Sequence, residues 1–168
     1  MRHVGYGHMI KTAIFDFDGT LADTIPLCLE AFRRAVNDLD GRVLTDREIE
    51  RNFGPDDLGV IRKLFPGKPE WHEHGRELFI HYYQELHAEM APAPFPGTVE
   101  LLHSLRNSGI RLAMVTGKRR ESADISLKFF HLDGFFPVLE TGSPEGGVKT
   151  DRINRALERL GASAREAV

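Results

Sequence analysis

Apolar positions in this chain first follow helical spacing over a long stretch, then alternate between strand and helix patterns, and the changeover falls near residue 95. Before either, Thr12 to Phe17 is a short, largely apolar run closed by Gly19, the pattern of a buried parallel strand. Ile25, Leu29, Phe32 and Val36 then recur at helical spacing. Asp23 or Thr24 can cap that helix, Pro26 sits in its first turn and Gly41 ends it. Thr45 and Glu48 form a capping-box pattern that starts a second helix. Leu58, Ile61, Leu64 and Phe65 predict a third, and Trp71 to Met90 a fourth with Leu78, Tyr82 and Leu86 on one face.

The three prolines between Ala91 and Gly97 mark a stiff boundary. Beyond it a helix through Val99, Leu102 and Leu105 ends near Gly109, and a strand covers Arg111 to Val115. A helix with Ile125 and Phe129, a short strand from Val138 to Glu140 and a helix from about Thr150 to Leu160 follow, the last stopped by Gly161. Strands alternating with helices imply a parallel α/β sheet. The first strand belongs to that sheet in space. Residues 23–95 therefore read as an all-helical insert, and 9–22 with 96–168 as the α/β core.

Composition narrows the partners. With 22 Lys+Arg against 25 Asp+Glu, a formal charge of −3 gives no general reason to expect nucleic acid or an anionic membrane. The single cysteine, Cys28, has no intrachain disulfide partner, and neither a secretory signal nor an apolar run of roughly 20 residues is evident. A cytoplasmic protein is the expectation. The polar, aperiodic opening Met1 to Met9 reads as a frayed leader, its two histidines as bystanders.

In a parallel α/β sheet, sites form where strands end, and each polar signal here follows a strand. Asp16 and Asp18 follow the first, Thr116-Gly117-Lys118 the second, and the Gly-rich Thr141 to Asp151 the third. Two carboxylates held close resist ionising together unless a cation sits between them, and Mg2+ supplies such a charge through oxygen ligands. Phosphoryl transfer suits the arrangement: one Asp attacks phosphorus, while the other protonates the leaving alcohol and then activates water. Gly19 lets the backbone approach a phosphate, Thr20 and Thr116 offer hydroxyl donors, and Lys149 or Lys118 balances the oxyanions. A plain Asx turn is the competing reading of Asp-x-Asp-Gly-Thr.

The string "DFDGTLADT" from Asp16 to Thr24 resembles the first motif of the haloacid dehalogenase-like hydrolase superfamily, in particular its phosphoglycolate-phosphatase-like branch with a helical cap. "LAMVTGK", Leu112 to Lys118, is similar to the second motif, and the insert falls where that branch carries its cap. The resemblance extends from Ile10 onward. It implies a Rossmann-like parallel core and a magnesium-dependent phosphatase of a small phosphate monoester, working through an aspartyl-phosphate. A beta-phosphoglucomutase-like phosphomutase and a pyrophosphatase are the neighbouring enzyme readings. Residue by residue it implies Asp16 as nucleophile and metal ligand, Asp18 as acid/base with its carbonyl near the metal, and Thr116 as a phosphate-binding hydroxyl. Lys149 matches the family's lysine in position, although Thr150 stands where proline is usual, and Lys118 is the fallback. Gly19, Thr20 and Gly117 complete the expected phosphate contacts. An acid at Asp18 argues against true dehalogenation.

The family's acidic fourth motif has no counterpart before Val168, which keeps open a non-catalytic phosphate-binding or interaction protein. It also leads to the expectation that the chain is C-terminally incomplete, or that an exposed first-strand edge is covered by self-association. In that picture Ser163 and Glu166 resemble a capping box and Val168 the first residue of a fourth strand. His72, His74, His81 and His87 read as a solvated helix face, and Cys28 as a packed helix residue. Trp71, Tyr82 and Tyr83 read as core or surface aromatics, and the basic cluster in Gly117 to Ser122 either as an attractor of an anionic substrate or as a solvated helix start.

Overall fold

The computed structural model describes residues 9–168, so the opening leader, with His3 and His8, lies outside the described residues. Three parallel strands, β1 (Thr12–Phe15), β2 (Arg111–Val115) and β3 (Val138–Glu140), form one sheet in the order β1-β2-β3. Ile14 pairs with Ala113, and Ala113 in turn with Val138. The central strand β2 is buried on both faces, and its alternation sorts two cores. Ala113 and Val115 meet Val138 and Ala156 of α7 (Lys149–Leu160), whereas Leu112 and Met114 join the larger cluster with Leu102 and Leu127. Those two leucines come from α5 (Thr98–Asn107) and α6 (Arg120–Phe129).

Between β1 and α5 the chain makes four helices, α1 (Ile25–Asp40), α2 (Asp46–Glu50), α3 (Asp57–Leu64) and α4 (His72–Met90), with a 3-10 turn at Pro69–Trp71. Local chemistry sets several of their ends. Thr45 and Glu48 make the full capping box of α2, Asp56 caps α3 by accepting from Gly59 N at 3.0 Å, and Gly41 ends α1 in the left-handed conformation. Helices α1 and α4 pack lengthwise, with Phe32 and Phe79 stacked at 4.1 Å. A side chain at Gly75 would meet Leu39 at 2.9 Å and Ile61 at 3.0 Å, so glycine permits the close crossing.

Four expectations need correction. The buried face of α4 is Gly75, Phe79, Tyr83, Leu86 and His87, one position round from the stripe through Leu78 and Tyr82, which are only partly buried. His87 is therefore not on a solvated face: it lies between Phe129 and Phe130, with Nε2 2.9 Å from Ser126 Oγ. Ser163 and Glu166 do not form a capping box. The Ser163 hydroxyl donates to the Glu166 carboxylate at 2.9 Å, and only a 3-10 turn, Ala164–Glu166, results. Nor is the outer edge of β1 bare. Ile14 N donates to Val168 O at 2.8 Å, Val168 N donates to Thr12 O at 3.1 Å, and Thr12 bridges Ala167 in parallel, so Val168 does take up a strand-like position. Among the described residues no helix is long and apolar enough to cross a membrane.

Candidate active site

The loop after β1 is held by what it buries. Phe17, Leu21 and Ala22 are sunk in the core, so the partly exposed Asp16 and Asp18 flank a fixed anchor. Gly19 takes φ 70° in the turn that follows, its N–H donating to Ala22 O at 2.9 Å, and Gly19 and Thr20 are exposed at its tip. Thr24, the N-cap of α1, does not cap it with its side chain. Its hydroxyl donates to Asp18 Oδ1 at 2.5 Å and fixes that carboxylate.

The loop after β2 lies alongside. Thr116 is fully buried, and its Oγ1 accepts from Lys118 N at 3.2 Å. The third loop is laced to the second: Thr116 N donates to Glu140 O and Gly142 N to Lys118 O at 2.7 Å. A Cβ at Gly142 would lie 2.1 Å from the Gly117 carbonyl oxygen, so the two backbones can approach only because residue 142 is glycine.

These loops deliver two lysines to two aspartates. Lys149 Nζ, at the first turn of α7, lies 2.5 Å from Asp16 Oδ2, while Asp16 Oδ1 accepts from Phe17 N at 2.7 Å. Lys118 Nζ lies 3.1 Å from Asp18 Oδ1 and 3.2 Å from Cys28 Sγ, and 4.3 Å from the centre of the Tyr83 ring. The sequence reading sought one balancing lysine; the fold brings both, each to a different carboxylate. Burial opposes charge on Lys118, but Asp18 first, with Asp57 among the other neighbours, more than offsets it and holds the ammonium well above its ordinary range. Burial pushes the Cys28 thiol up to about 12, so it packs as a neutral group beside the lysine.

A cavity of about 200 Å³ opens beside Asp18 and Lys118, between the core loops and the helical insert. Its far wall is Phe53 to Asp57 and Val60, which the sequence reading did not single out. Asp57 is buried, accepts from Ser122 Oγ at 2.5 Å, and has its carboxyl raised to about 6 by burial, against the pull of Lys118 and Ser122. Asp56 gives its second oxygen to Arg119 Nη1 at 3.3 Å. The cap at Asp56 is legible in "PDDLGV", but neither cross-chain partner is. Arg119 and Arg120 are thus spent on Asp56 and Asp124, not turned as a pair toward an anion. Asp16 and Lys149 border a separate cleft of about 360 Å³ with Ile14, Val115 and Ile153.

The insert is held over the site by buried polar contacts. Tyr83 and His87 of α4 both reach Ser126 Oγ on α6, at 2.6 and 2.9 Å, and Asp56 N donates to Ser143 O at 3.2 Å.

The chain is thus an α/β protein, with a parallel sheet whose strand-end loops carry acid, hydroxyl and lysine groups and with a helical layer beside them. The chain belongs to the haloacid dehalogenase-like hydrolase family, whose model matches residues 13–168. It is similar to pyrophosphatase PpaX of Halalkalibacterium halodurans, 29% identical over 163 residues that make up 95% of this chain and 73% of that protein. Tyrosine-protein kinase PtkA of Mycobacterium tuberculosis is 30% identical over 158 residues, 92% of this chain and 53% of that protein. In fold it resembles CbbY of Rhodobacter sphaeroides in complex with phosphate, with a TM-score of 0.80 at 24% identity over 95% of this chain and 76% of that one. The xylulose-(1,5)bisphosphate complex of a CbbY mutant matches equally well in TM-score, 0.80, at 23% identity with the same coverage.

Proposed function

We propose that this hydrolase is a magnesium-dependent phosphatase of a small phosphate monoester, with Asp16 as nucleophile and residues 23–95 as its cap. The observation that carries the reading is the pair of ion pairs, Asp16 with Lys149 and Asp18 with Lys118, at the carboxyl edge of one sheet. The likeness to pyrophosphatase PpaX and to CbbY in complex with phosphate agrees with it.

In this reading an Asp16 oxygen attacks phosphorus and the phosphorus–oxygen bond to the alcohol breaks, leaving an aspartyl-phosphate. Asp18 donates its proton to the departing oxygen, then takes one from a water that attacks phosphorus. Phosphate leaves and Asp16 is regenerated. Lys149 sits where phosphoryl oxygens would need a cation, and the Thr116, Gly117 and Thr20 groups supply donors. Among the described residues no group of three or more His, Cys, Asp or Glu could hold a metal. Mg2+ nonetheless suits the donor set, because it commonly keeps several waters and takes one or two carboxylates plus substrate phosphate. Asp16 and Asp18 would hold it, and when bound it supplies positive charge to the phosphoryl oxygens.

Phosphate release from p-nitrophenyl phosphate, with and without magnesium, tests the reading against an Asp16→Asn variant. Turnover should vanish in the variant without loss of fold, because an amide cannot serve as the attacking carboxylate. Near-native release by Asp16→Asn would overturn it.

A further inference from the structure

The cavity beside Asp18 takes in the acid/base carboxylate but not Asp16, so on the reading above it is where a leaving group would lie. Its lining carries three carboxylates, Asp18, Asp56 and Asp57, and one ammonium, Lys118. That ammonium is already committed to Asp18 at 3.1 Å and to Cys28 at 3.2 Å. Arg119 and Lys63, on neighbouring segments, are not among the lining residues. Arg119 bonds Asp56 at 3.3 Å, and Lys63 donates to the Asn52 and Phe53 carbonyls at 3.3 and 3.5 Å. What remains of the wall is apolar, with the partly exposed Phe53 ring set 6.4 Å from Phe32 and flanked by Pro55 and Val60.

We propose that the enzyme accepts esters of an uncharged, largely apolar alcohol small enough for this cavity, and discriminates against leaving groups that bear a second phosphate or a carboxylate. A second anion would face Asp57 with no uncommitted cation in the lining to meet it, and like charges so placed repel. An alkyl or aryl group would instead cover Phe53 and Val60 and release their water. The chain thereby departs from its relatives whose names or ligands carry a second phosphoryl group, a pyrophosphatase and a xylulose-(1,5)bisphosphate complex. This rests on the phosphoryl site proposed at Asp16, and the test separates the two.

Isothermal titration of the 168-residue chain in magnesium buffer would compare inorganic phosphate, butylphosphonate and the similarly sized acid phosphonopropionate, none of which can be turned over. Butylphosphonate should bind at least about tenfold more tightly than phosphonopropionate. Phe53→Lys places a cation on the exposed part of the wall and should close that gap; Asp57→Asn, nearly isosteric, should narrow it. Equal or tighter binding of phosphonopropionate, with phosphate bound, overturns this inference and leaves the phosphatase reading standing. An unchanged gap in both variants also overturns it. Failure of phosphate and both phosphonates to bind removes the phosphoryl site itself, and the inference with it.

Discussion

Lys118 and Asp18 form a 3.1 Å ion pair in which the lysine side chain is almost wholly buried and the aspartate about three-quarters so. The other pair, Lys149 with Asp16, is about half exposed on its lysine side. Two lysines that look interchangeable in the sequence therefore carry different loads, and their substitutions should separate stability from phosphate binding. Removing Lys118 leaves Asp18 and Asp57 without their cation in a buried setting, a loss of about 3 kcal/mol of stability. Lys149→Ala should leave stability nearly unchanged, since exposed pairs contribute little, while weakening phosphate binding more. Urea unfolding and phosphate titration of both variants check the ranking. Equal stability of the two would contradict the burial argument.

Asp18 is fixed by Thr24 as well as by Lys118. Asp18→Asn should slow turnover most for esters of poorly departing alcohols and least for p-nitrophenyl phosphate, because only the former need a proton at the leaving oxygen. The measurement is kcat across a leaving-group series. A uniform loss along the series would exclude the acid role.

Asp57 raises a pH dependence of stability. Its carboxyl titrates at about 6 in the folded chain against an ordinary 3.8, so the folded state holds that proton more tightly. Its contribution is complete below about 3.8 and is lost as pH rises through about 6, a change of about 3 kcal/mol. His87 acts the other way: burial holds its pKa below 6.5, so its contribution is present above that value and lost as pH falls. The difference between native chain and Asp57→Asn isolates the first effect. Urea midpoints at pH 5 and pH 7.5 should fall more with rising pH in the native chain than in the variant, and parallel profiles would refute this.

Gly142→Ala should be more disruptive than any surface glycine change, because the new methyl would lie 2.1 Å from the Gly117 carbonyl oxygen. The second and third loops would have to part, breaking the Gly142–Lys118 backbone bond and displacing Thr116. Loss of phosphate affinity together with a lower unfolding midpoint is the expected result. A variant with native affinity would show that the lacing is dispensable.

What the sequence determined by itself is what short-range physics controls. Periodicity located β2 and β3 at their observed bounds, and the Thr45–Glu48 box and Gly41 placed helix ends, because capping and left-handed turns act within a few residues. The two aspartates and the Thr116 loop were legible because each follows directly on a strand, and Lys149 because it opens the helix after the Gly-rich loop that β3 leads into. Only the tertiary structure decided which lysine meets which aspartate, since Lys149 and Asp16 lie 133 residues apart and their pairing depends on how β1 and α7 pack about β2. It also decided that Tyr83 rather than Tyr82 faces the site. Helix α4 is covered on one side by α1 and α3 and on another by α6, so its apolar stripe alone did not fix its rotation. The acidic wall at Asp56 and Asp57 was hidden for the same reason. In sequence the two residues are an ordinary helix start, and they become part of a pocket only when the insert folds back onto the loops that follow β2 and β3.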